Sequence, residues 1–348
     1  MDGAHSPQSS NIVVSGMRPT GRLHIGRWLG ALRNWVRLQH ERRCFFFIAD
    51  WHVLTTRQEA TGDVQRNVLD MMIDFVSAGL DPEQAVIFRQ SAIKEHAELH
   101  LLFSMIIPTP WLLRNPTIKE QARELGLVQS EDDAALTTVN YGLLGYPVLQ
   151  AADILIYKAS GVPVGIDQVP HIELTREIAR RFNHLYRPVF PEPEALLTEA
   201  QKVPGTDGRK MCASYNNAVF LSDPPQVIEQ KLSRMMTDPR RVRRNDPGEP
   251  FDCPAFNLHR TYCTPEEIDY VMTGCRTAGI GCLECKRIMI KHVVAELGPI
   301  SERRADLEAR PKEVRDILEQ GNQRARKVAT TTMAEVREAM GFGERVIG

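Results

Sequence analysis

The chain has no long apolar run. Nowhere in its 348 residues do ~18–20 apolar residues follow one another, the length a membrane-spanning helix needs, so no membrane partner is expected. Its opening stretch, MDGAHSPQSSN, lacks an apolar signal core and reads as a disordered tail over residues 1–11. Net charge is nearly absent too, at −1. That disfavours a globally basic nucleic-acid binder and leaves room only for a local basic patch. Paired-cysteine logic also fails. Seven cysteines is an odd number, and four of them crowd between Cys253 and Cys285. In a sizeable chain without a secretion signal this points to a reduced, cytoplasmic compartment and a metal site.

What is present is enough length for a large core and about two domains. The most informative stretch is YPVLQAADILIYKASGVPVGIDQVPHIELTREIARRF, from Tyr146 to Phe182. Asp153 sits there among Ala151, Ala152, Ile154, Leu155 and Ile156. A carboxylate in such company needs a donor, because burying it alone is costly. The donor comes either from the protein itself or with a ligand. Val162-Pro163-Val164 reads as a strand, Gly165-Ile166-Asp167-Gln168 as a turn, and Ile172, Ala179 and Phe182 fall at helical spacing. Strand, glycine-containing turn and helix is where an open parallel sheet places a ligand.

The same pattern opens the chain. Ile12–Ser15 is a short apolar strand, followed by Gly16-Met17-Arg18-Pro19-Thr20-Gly21-Arg22-Leu23-His24-Ile25-Gly26 and then a helical pattern. Such a turn brings backbone N–H groups and a helix N-terminus to a phosphate. It matches neither the GKS/T phosphate loop nor GxGxxG. Cys44–Ala49, CFFFIA, suits a central parallel strand, with Asp50-Trp51-His52 at its C-terminal end. Asp63–Ala78 has helical periodicity, Ala85–Phe88 reads as a strand, and Glu95–Ile107 as a helix apolar on several sides. Lys202–Asn217, KVPGTDGRKMCASYNN, reads as a mobile basic loop suited to phosphate chemistry. From Asp223 onward the chain looks helical, with a basic cluster at Arg240, Arg241, Arg243 and Arg244.

Cys253, Cys275, Cys282 and Cys285 have the makings of a metal site, because Cys282-Leu283-Glu284-Cys285 is a chelating pair. Four thiolates suit tetrahedral Zn²⁺ or one 4Fe–4S cluster. Cys263 and His259 lie inside the first interval, so the first ligand is Cys253 or Cys263.

These motifs together resemble bacterial tryptophanyl-tRNA synthetase, a class I aminoacyl-tRNA synthetase, from about Ile12 to the C-terminus. His24-Ile25-Gly26-Arg27 resembles the HIGH signature, with Arg27 in place of its last His or Asn. Lys210-Met211-Cys212-Ala213-Ser214 resembles the KMSKS loop, with Ala213 in place of its second lysine. Ile166 stands where the family usually has Glu. The resemblance implies a Rossmann-like parallel-sheet catalytic domain over 12–218 and a helical anticodon-binding domain over 219–348, in a homodimer. It also implies that ATP with Mg²⁺ and L-tryptophan form an adenylate, whose acyl group passes to tRNA(Trp). Asp153 then accepts the indole N–H, in a pocket with Tyr146, Gln150, His52, Val162, Val164 and Gln168. ATP is held by Arg18, Pro19, Thr20, His24, Gly26, Arg27, Lys119, Gly165, Ile166, Asp167, Val203, Lys210, Met211, Cys212, Ala213 and Ser214. A subset of the family holds a 4Fe–4S cluster on nearly this cysteine pattern. The three departures leave two alternatives: a paralogue that delivers its adenylate to another acceptor, or a non-catalytic tRNA-binding relative.

Overall fold

The structure is a computed structural model that describes residues 11–56, 58–59, 61–128, 139–198 and 203–343. Of the expected tail, 1–10 lies outside these residues.

Five parallel strands form the centre. They are β1 (Ile12–Met17), β2 (Arg43–Ile48), β3 (Ala85–Arg89), β4 (Gly161–Val164) and β5 (Glu194–Leu197), in the order β3-β2-β1-β4-β5. Between β1 and β2 lie α1 (Ile25–Arg27), a π-turn (Trp28–Leu32) and α2 (Arg33–Leu38). Next come α3 (Val64–Ser77), α4 (Glu95–Ser104), α5 (Thr109–Leu113), α6 (Pro116–Glu124), α7 (Tyr141–Leu155) and α8 (Val169–Leu185). The chain then continues in helices: α9 (Pro225–Ser233), α10 (Pro254–Tyr262), α11 (Pro265–Arg276), α12 (Cys282–Glu308) and α13 (Pro311–Ala339).

The phenylalanine run explains the centre. Phe45, Phe46 and Phe47 alternate between the two faces of β2, and all three are buried. On one face Trp35 stacks on Phe46 at 4.7 Å and packs with Phe75, Leu232, Met289 and Leu297. On the other, Phe45 stacks on Tyr157 at 4.7 Å beside Phe88, Phe182 and Met333. The strand order reverses direction between β1 and β4. In an open parallel sheet that switch point, at the carboxyl ends of the strands, is the ligand crevice.

The strands expected at 12–15, 44–49, 85–88 and 162–164 are present with shifts of one or two residues. β5 follows the proline-rich segment 188–193, which reads in sequence only as a connection. Its Glu-Ala-Leu-Leu has no alternation and consists of good helix formers, so nothing local marks it. The broadly apolar α4 buries His96, Leu99 and Phe103, yet Leu101 and, just beyond its end, Met105 stay exposed, at 53% and 68%.

Helix α13 closes the outer edge of the sheet. An added Cβ at Gly321 would lie 1.8 Å from the Ile87 carbonyl oxygen, so the helix crosses β3 at a distance only glycine permits. Beside it the Asn322 side chain accepts the Arg89 N–H at 3.0 Å, pairing an edge donor that would otherwise invite another strand.

Candidate active site

The crevice is lined by the residues that follow each strand. Tyr146, Gln150 and Asp153 are spaced four and three apart on α7, which puts them on one face of that helix. Asp153 is fully buried. Its Oδ1 accepts from His96 Nδ1 at 2.5 Å and Gln90 Nε2 at 2.9 Å. Its Oδ2 accepts from His52 Nε2 at 2.8 Å and the same Gln90 nitrogen at 2.9 Å. His96 Nε2 in turn meets the buried Tyr157 hydroxyl at 2.7 Å. Burial works to raise the Asp153 carboxyl, but hydrogen bonds from His52 and His96 outweigh it and hold the group below the usual carboxylate range.

This answers the question the sequence left open. The donors to Asp153 are protein side chains, so the carboxylate is complete before any ligand arrives. A bound side chain lacking an N–H would therefore not leave it unpaired. Gln90 and His96 escape the sequence reading, although Gln90 follows β3 as Asp50 follows β2, at the same edge of the sheet. His100, one turn beyond His96, also faces this group: its ring senses the charges of Asp153 and His52.

A second chain of contacts runs beside the first. Asn115 caps α6, its side-chain oxygen accepting the Thr117 N–H at 3.0 Å. The Asn115 amide nitrogen lies 3.2 Å from His171 Nδ1, and His171 Nε2 lies 2.7 Å from the Tyr146 hydroxyl. His52 and Tyr146 meet edge to face. Val162 and Val164 are buried on β4, and Gln168 bonds Asp167 at 2.8 Å. Thr117 Oγ1 donates to the Asp167 carbonyl, joining the N-terminal end of α6, the helix that carries Lys119, to the turn Gly165-Ile166-Asp167. Ile166 is 71% exposed there.

Across the crevice, Leu23–Ile25 is held as a short extended strip. Ile25 N–H donates to the Val219 carbonyl at 2.9 Å, and Leu221 N–H to the Leu23 carbonyl at 2.8 Å. On its other side the Leu23 N–H donates to the buried Asp74 carboxylate at 2.7 Å. Arg304 holds that carboxylate at 2.6 Å and reaches Asp70 and Glu308 as well. An added Cβ at Gly26 would touch the His24 ring at 3.0 Å and Val203 at 3.7 Å.

The described part of the basic loop is tied internally. Asn217 accepts the Cys212 N–H at 2.8 Å and donates to Asp207 at 2.7 Å, and Met211 N–H donates to the Val203 carbonyl. Met211 is buried, while Lys210, Ala213 and Ser214 are exposed. Arg18, Arg27 and Cys212 come together. Burial and the Arg18 charge lower the Arg27 guanidinium, while Cys212 acts the other way. Burial and the Arg27 charge push His24 down to about 4, so its ring is neutral at pH 7, with Nδ1 buried and unpartnered. Pro19 is buried and Thr20 exposed beside them. Two guanidiniums near an unpartnered imidazole, between a glycine turn and a lysine loop, make a site for a polyanion.

The cysteines gather elsewhere. Cys253 caps α10, Cys275 lies in the last turn of α11, and Cys282 and Cys285 occupy the first turn of α12. Cys285 feels the charges of Cys253, Cys275 and Cys282, Cys275 those of Cys253 and Cys282, and Cys253 that of Cys282. Arg241 donates to the Ile280 and Asp246 carbonyls and to Cys275. It therefore belongs to the wall of this group and not to a solvated basic face. An added Cβ at Gly248 would lie 2.8 Å from Cys275 Sγ, so the glycine leaves room at the sulfur. Cys263 is joined to this group through His259, whose Nδ1 meets Cys263 Sγ at 3.4 Å and whose Nε2 meets Cys285 Sγ at 3.3 Å, and Cys263 forms with Glu267 and His292 the one trio among the described residues whose possible ligand atoms all lie within 4.8 Å.

An open parallel sheet that brings a glycine strip after β1 against a lysine loop, across from a polar crevice, has the architecture of a class I aminoacyl-tRNA synthetase. The comparisons agree. The profile of the tRNA synthetases class I (W and Y) matches residues 6–297. The chain is 53% identical to the tryptophan–tRNA ligase of Thermotoga maritima, over 95% of this chain and 99% of that one. It is 46% identical to the tryptophan–tRNA ligase of Aquifex aeolicus, with the same coverage. Among solved structures it resembles the tryptophanyl-tRNA synthetase of Campylobacter jejuni complexed with ADP and tryptophan, at TM-score 0.81 and 31% identity, covering 95% of this chain and 99% of that one. The chain belongs to the class I tRNA synthetases of the tryptophan and tyrosine family.

Proposed function

We propose that this enzyme is a tryptophan–tRNA ligase, and that the crevice between β1 and β4 holds both small substrates. The observation that carries the reading is identity of 53% along nearly the whole chain to a ligase of that specificity. The tryptophan carboxylate attacks the α-phosphate of ATP-Mg²⁺, giving tryptophanyl-adenylate and pyrophosphate. The terminal ribose hydroxyl of tRNA(Trp) then attacks the acyl carbon, and AMP leaves. No protein nucleophile is needed. The protein positions the reactants and stabilises phosphate charge.

Tryptophan lies against Tyr146, Gln150, Val162, Val164 and Gln168. Its indole N–H goes to Asp153 in place of one present donor. His52 is the donor that yields, because its side chain is 11% exposed while that of His96 is 0% exposed. Selectivity then rests on exchanging one good hydrogen bond for another, which a side chain with no donor, such as phenylalanine, cannot do. Arg18, His24, Gly26, Arg27, Lys119 and Lys210 hold the nucleotide, with Pro19, Thr20, Val203, Met211, Cys212, Ala213 and Ser214 shaping its surroundings. Arg27 adds the positive charge that Ala213 lacks.

Pyrophosphate exchange into ATP tests the reading. Exchange is expected with tryptophan and with none of the other standard amino acids, and in a separate assay labelled tryptophan is expected to pass to tRNA(Trp). No exchange with tryptophan overturns the assignment. Exchange without transfer points instead to a different acceptor.

The helical residues from 219 onward carry the anticodon-binding function. Cys253, Cys275, Cys282 and Cys285 hold a structural 4Fe–4S cluster there. The donor set fits: four mutually close thiols, with Arg241 and the charge of Lys286 nearby to offset a thiolate cluster. A single zinc ion at ~2.3 Å from each sulfur needs the thiolates nearly in contact. No three of these sulfurs lie within 4.8 Å of one another, and a cluster tolerates the wider spread. Protein purified without oxygen is expected to be brown, with broad absorbance near ~400 nm, and to lose that colour in Cys285→Ser. Colourless protein with stoichiometric zinc reverses the choice of metal. The exposed Leu101 and Met105 support a homodimer contact on the α4 side, and the activity belongs to the cytoplasm.

A further inference from the structure

We propose that Cys263, Glu267 and His292 form a binding site for a single zinc ion, in addition to the four-cysteine group. The proposal is independent of the substrate assignment and of the metal held by the four cysteines.

Three helices bring the trio together. Cys263 ends α10, its N–H donating to the His259 carbonyl at 2.9 Å. Thr264 then caps α11. Its hydroxyl accepts the Glu267 N–H at 3.3 Å, while Glu267 Oε2 accepts the Thr264 N–H at 3.0 Å. This reciprocal cap fixes the corner between α10 and α11, and with it the carboxylate four residues beyond the thiol. His292 comes from α12. It lies seven residues, about two turns, beyond Cys285 and so shares a face of that helix with it. Its Nε2 is 2.7 Å from Glu267 Oε2. The possible ligand atoms of all three residues lie within 4.8 Å of one another.

An ion pair and a helix cap account for His292 and Glu267, but not for the thiol beside them. The Glu267 charge reaches Cys263 and His259 as well. A cation between a sulfur and a carboxylate turns their repulsion into attraction. Thiolate, imidazole and carboxylate together are a zinc donor set, whereas magnesium and calcium ask for oxygen alone. Tetrahedral zinc, at ~2.0–2.3 Å from each donor, holds its ligand atoms about 3.3–3.8 Å apart. The trio reaches that spacing by side-chain adjustment, the ion taking the place of the proton shared by His292 and Glu267. Both side-chain hydrogen bonds of Glu267 fall on Oε2, which leaves Oε1 for the metal. The three residues are only partly buried, so water completes the tetrahedron.

His259 is a positioning residue. Its Nδ1 is 3.4 Å from Cys263 Sγ and its Nε2 3.3 Å from Cys285 Sγ, so it orients the thiol and links the two groups. Lys291 adds an opposing charge near Glu267 from an exposed position, where solvent screens it. The bound ion ties the corner between α10 and α11 to α12.

Protein purified without oxygen, with its four-cysteine metal in place, is titrated with ZnCl2 against a chromophoric chelator. One zinc ion per chain is expected beyond the metal already bound. Cys263→Ala and His292→Ala are each expected to weaken it at least about tenfold, since even groups that only orient a ligand are worth that much. Anomalous diffraction at the zinc edge, from crystals of the unmutated protein, locates the ion without any variant. A peak bounded by Cys263 Sγ, Glu267 and His292 is expected. No zinc beyond the four-cysteine metal, or a zinc that both variants retain, overturns the proposal. So does an anomalous peak confined to the four cysteines, which would also decide for zinc there. A brown protein that takes up no further zinc would sink this site and leave the cluster standing.

Discussion

Asp153→Ala is expected to remove nearly all tryptophan activation and to destabilise the fold by about 3–5 kcal/mol, the usual cost of taking one partner from a buried charged network. The size follows from what stays behind. His52, His96 and Gln90 all aim their donors at this carboxylate, and Tyr157 is held through His96. Alanine leaves them facing a dry cavity. Asp153→Asn is the milder test, since it keeps the volume but turns one acceptor into a donor that must oppose His96 or His52. Urea unfolding and tryptophan-dependent exchange measure the two effects separately. An alanine variant of wild-type stability would mean that the network is not held together by this charge. The pH dependence has a definite sign. The folded carboxyl titrates below its unfolded value, so its contribution is fully present above about pH 4. It is lost as the pH falls through the folded value.

The second large effect is expected far from both substrates. Arg304→Met should cost about 3–5 kcal/mol and raise KM for ATP, with KM for tryptophan little changed. Arg304 is 1% exposed and binds the fully buried Asp74, whose other oxygen holds the Leu23 N–H next to His24. Burial pushes the Asp74 carboxyl up to about 6 even with the guanidinium beside it. Without Arg304 the group is protonated at neutral pH and becomes a weaker acceptor for that N–H. Asp74→Leu combined with Arg304→Met restores an apolar contact. It is expected to regain much of the stability while KM for ATP stays high. Recovery of both together would show that Asp74 acts on the fold alone.

How much of this was legible in the sequence depended on how local the cause was. The Phe45–Phe47 run announces a central strand because only a strand buried on both faces can hold it. Asp50, His52 and Asp167 were legible as edge residues because a polar group just past an apolar strand has one place to go. Gln90, His96 and Asn115 were not. Their roles arise where α4, α6 and α7 meet, and no spacing within one segment encodes that meeting. The donor to Asp153 was open for the same reason: its partners are 101, 63 and 57 residues away. Arg241 reads as one charge in a basic run, and only the fold turns it inward onto carbonyls beside Cys275.

Helix α12 touches both ends of the molecule's chemistry. Cys282 and Cys285 begin it, Glu296 takes the Trp28 indole N–H at 2.7 Å midway, and Arg304 and Glu308 finish it beside Leu23 and Arg22. At ~1.5 Å per residue it spans about 40 Å, with Pro299 inside it. A disturbance at the four-cysteine end therefore has a mechanical address at the other, beside the strip that leads into Gly26.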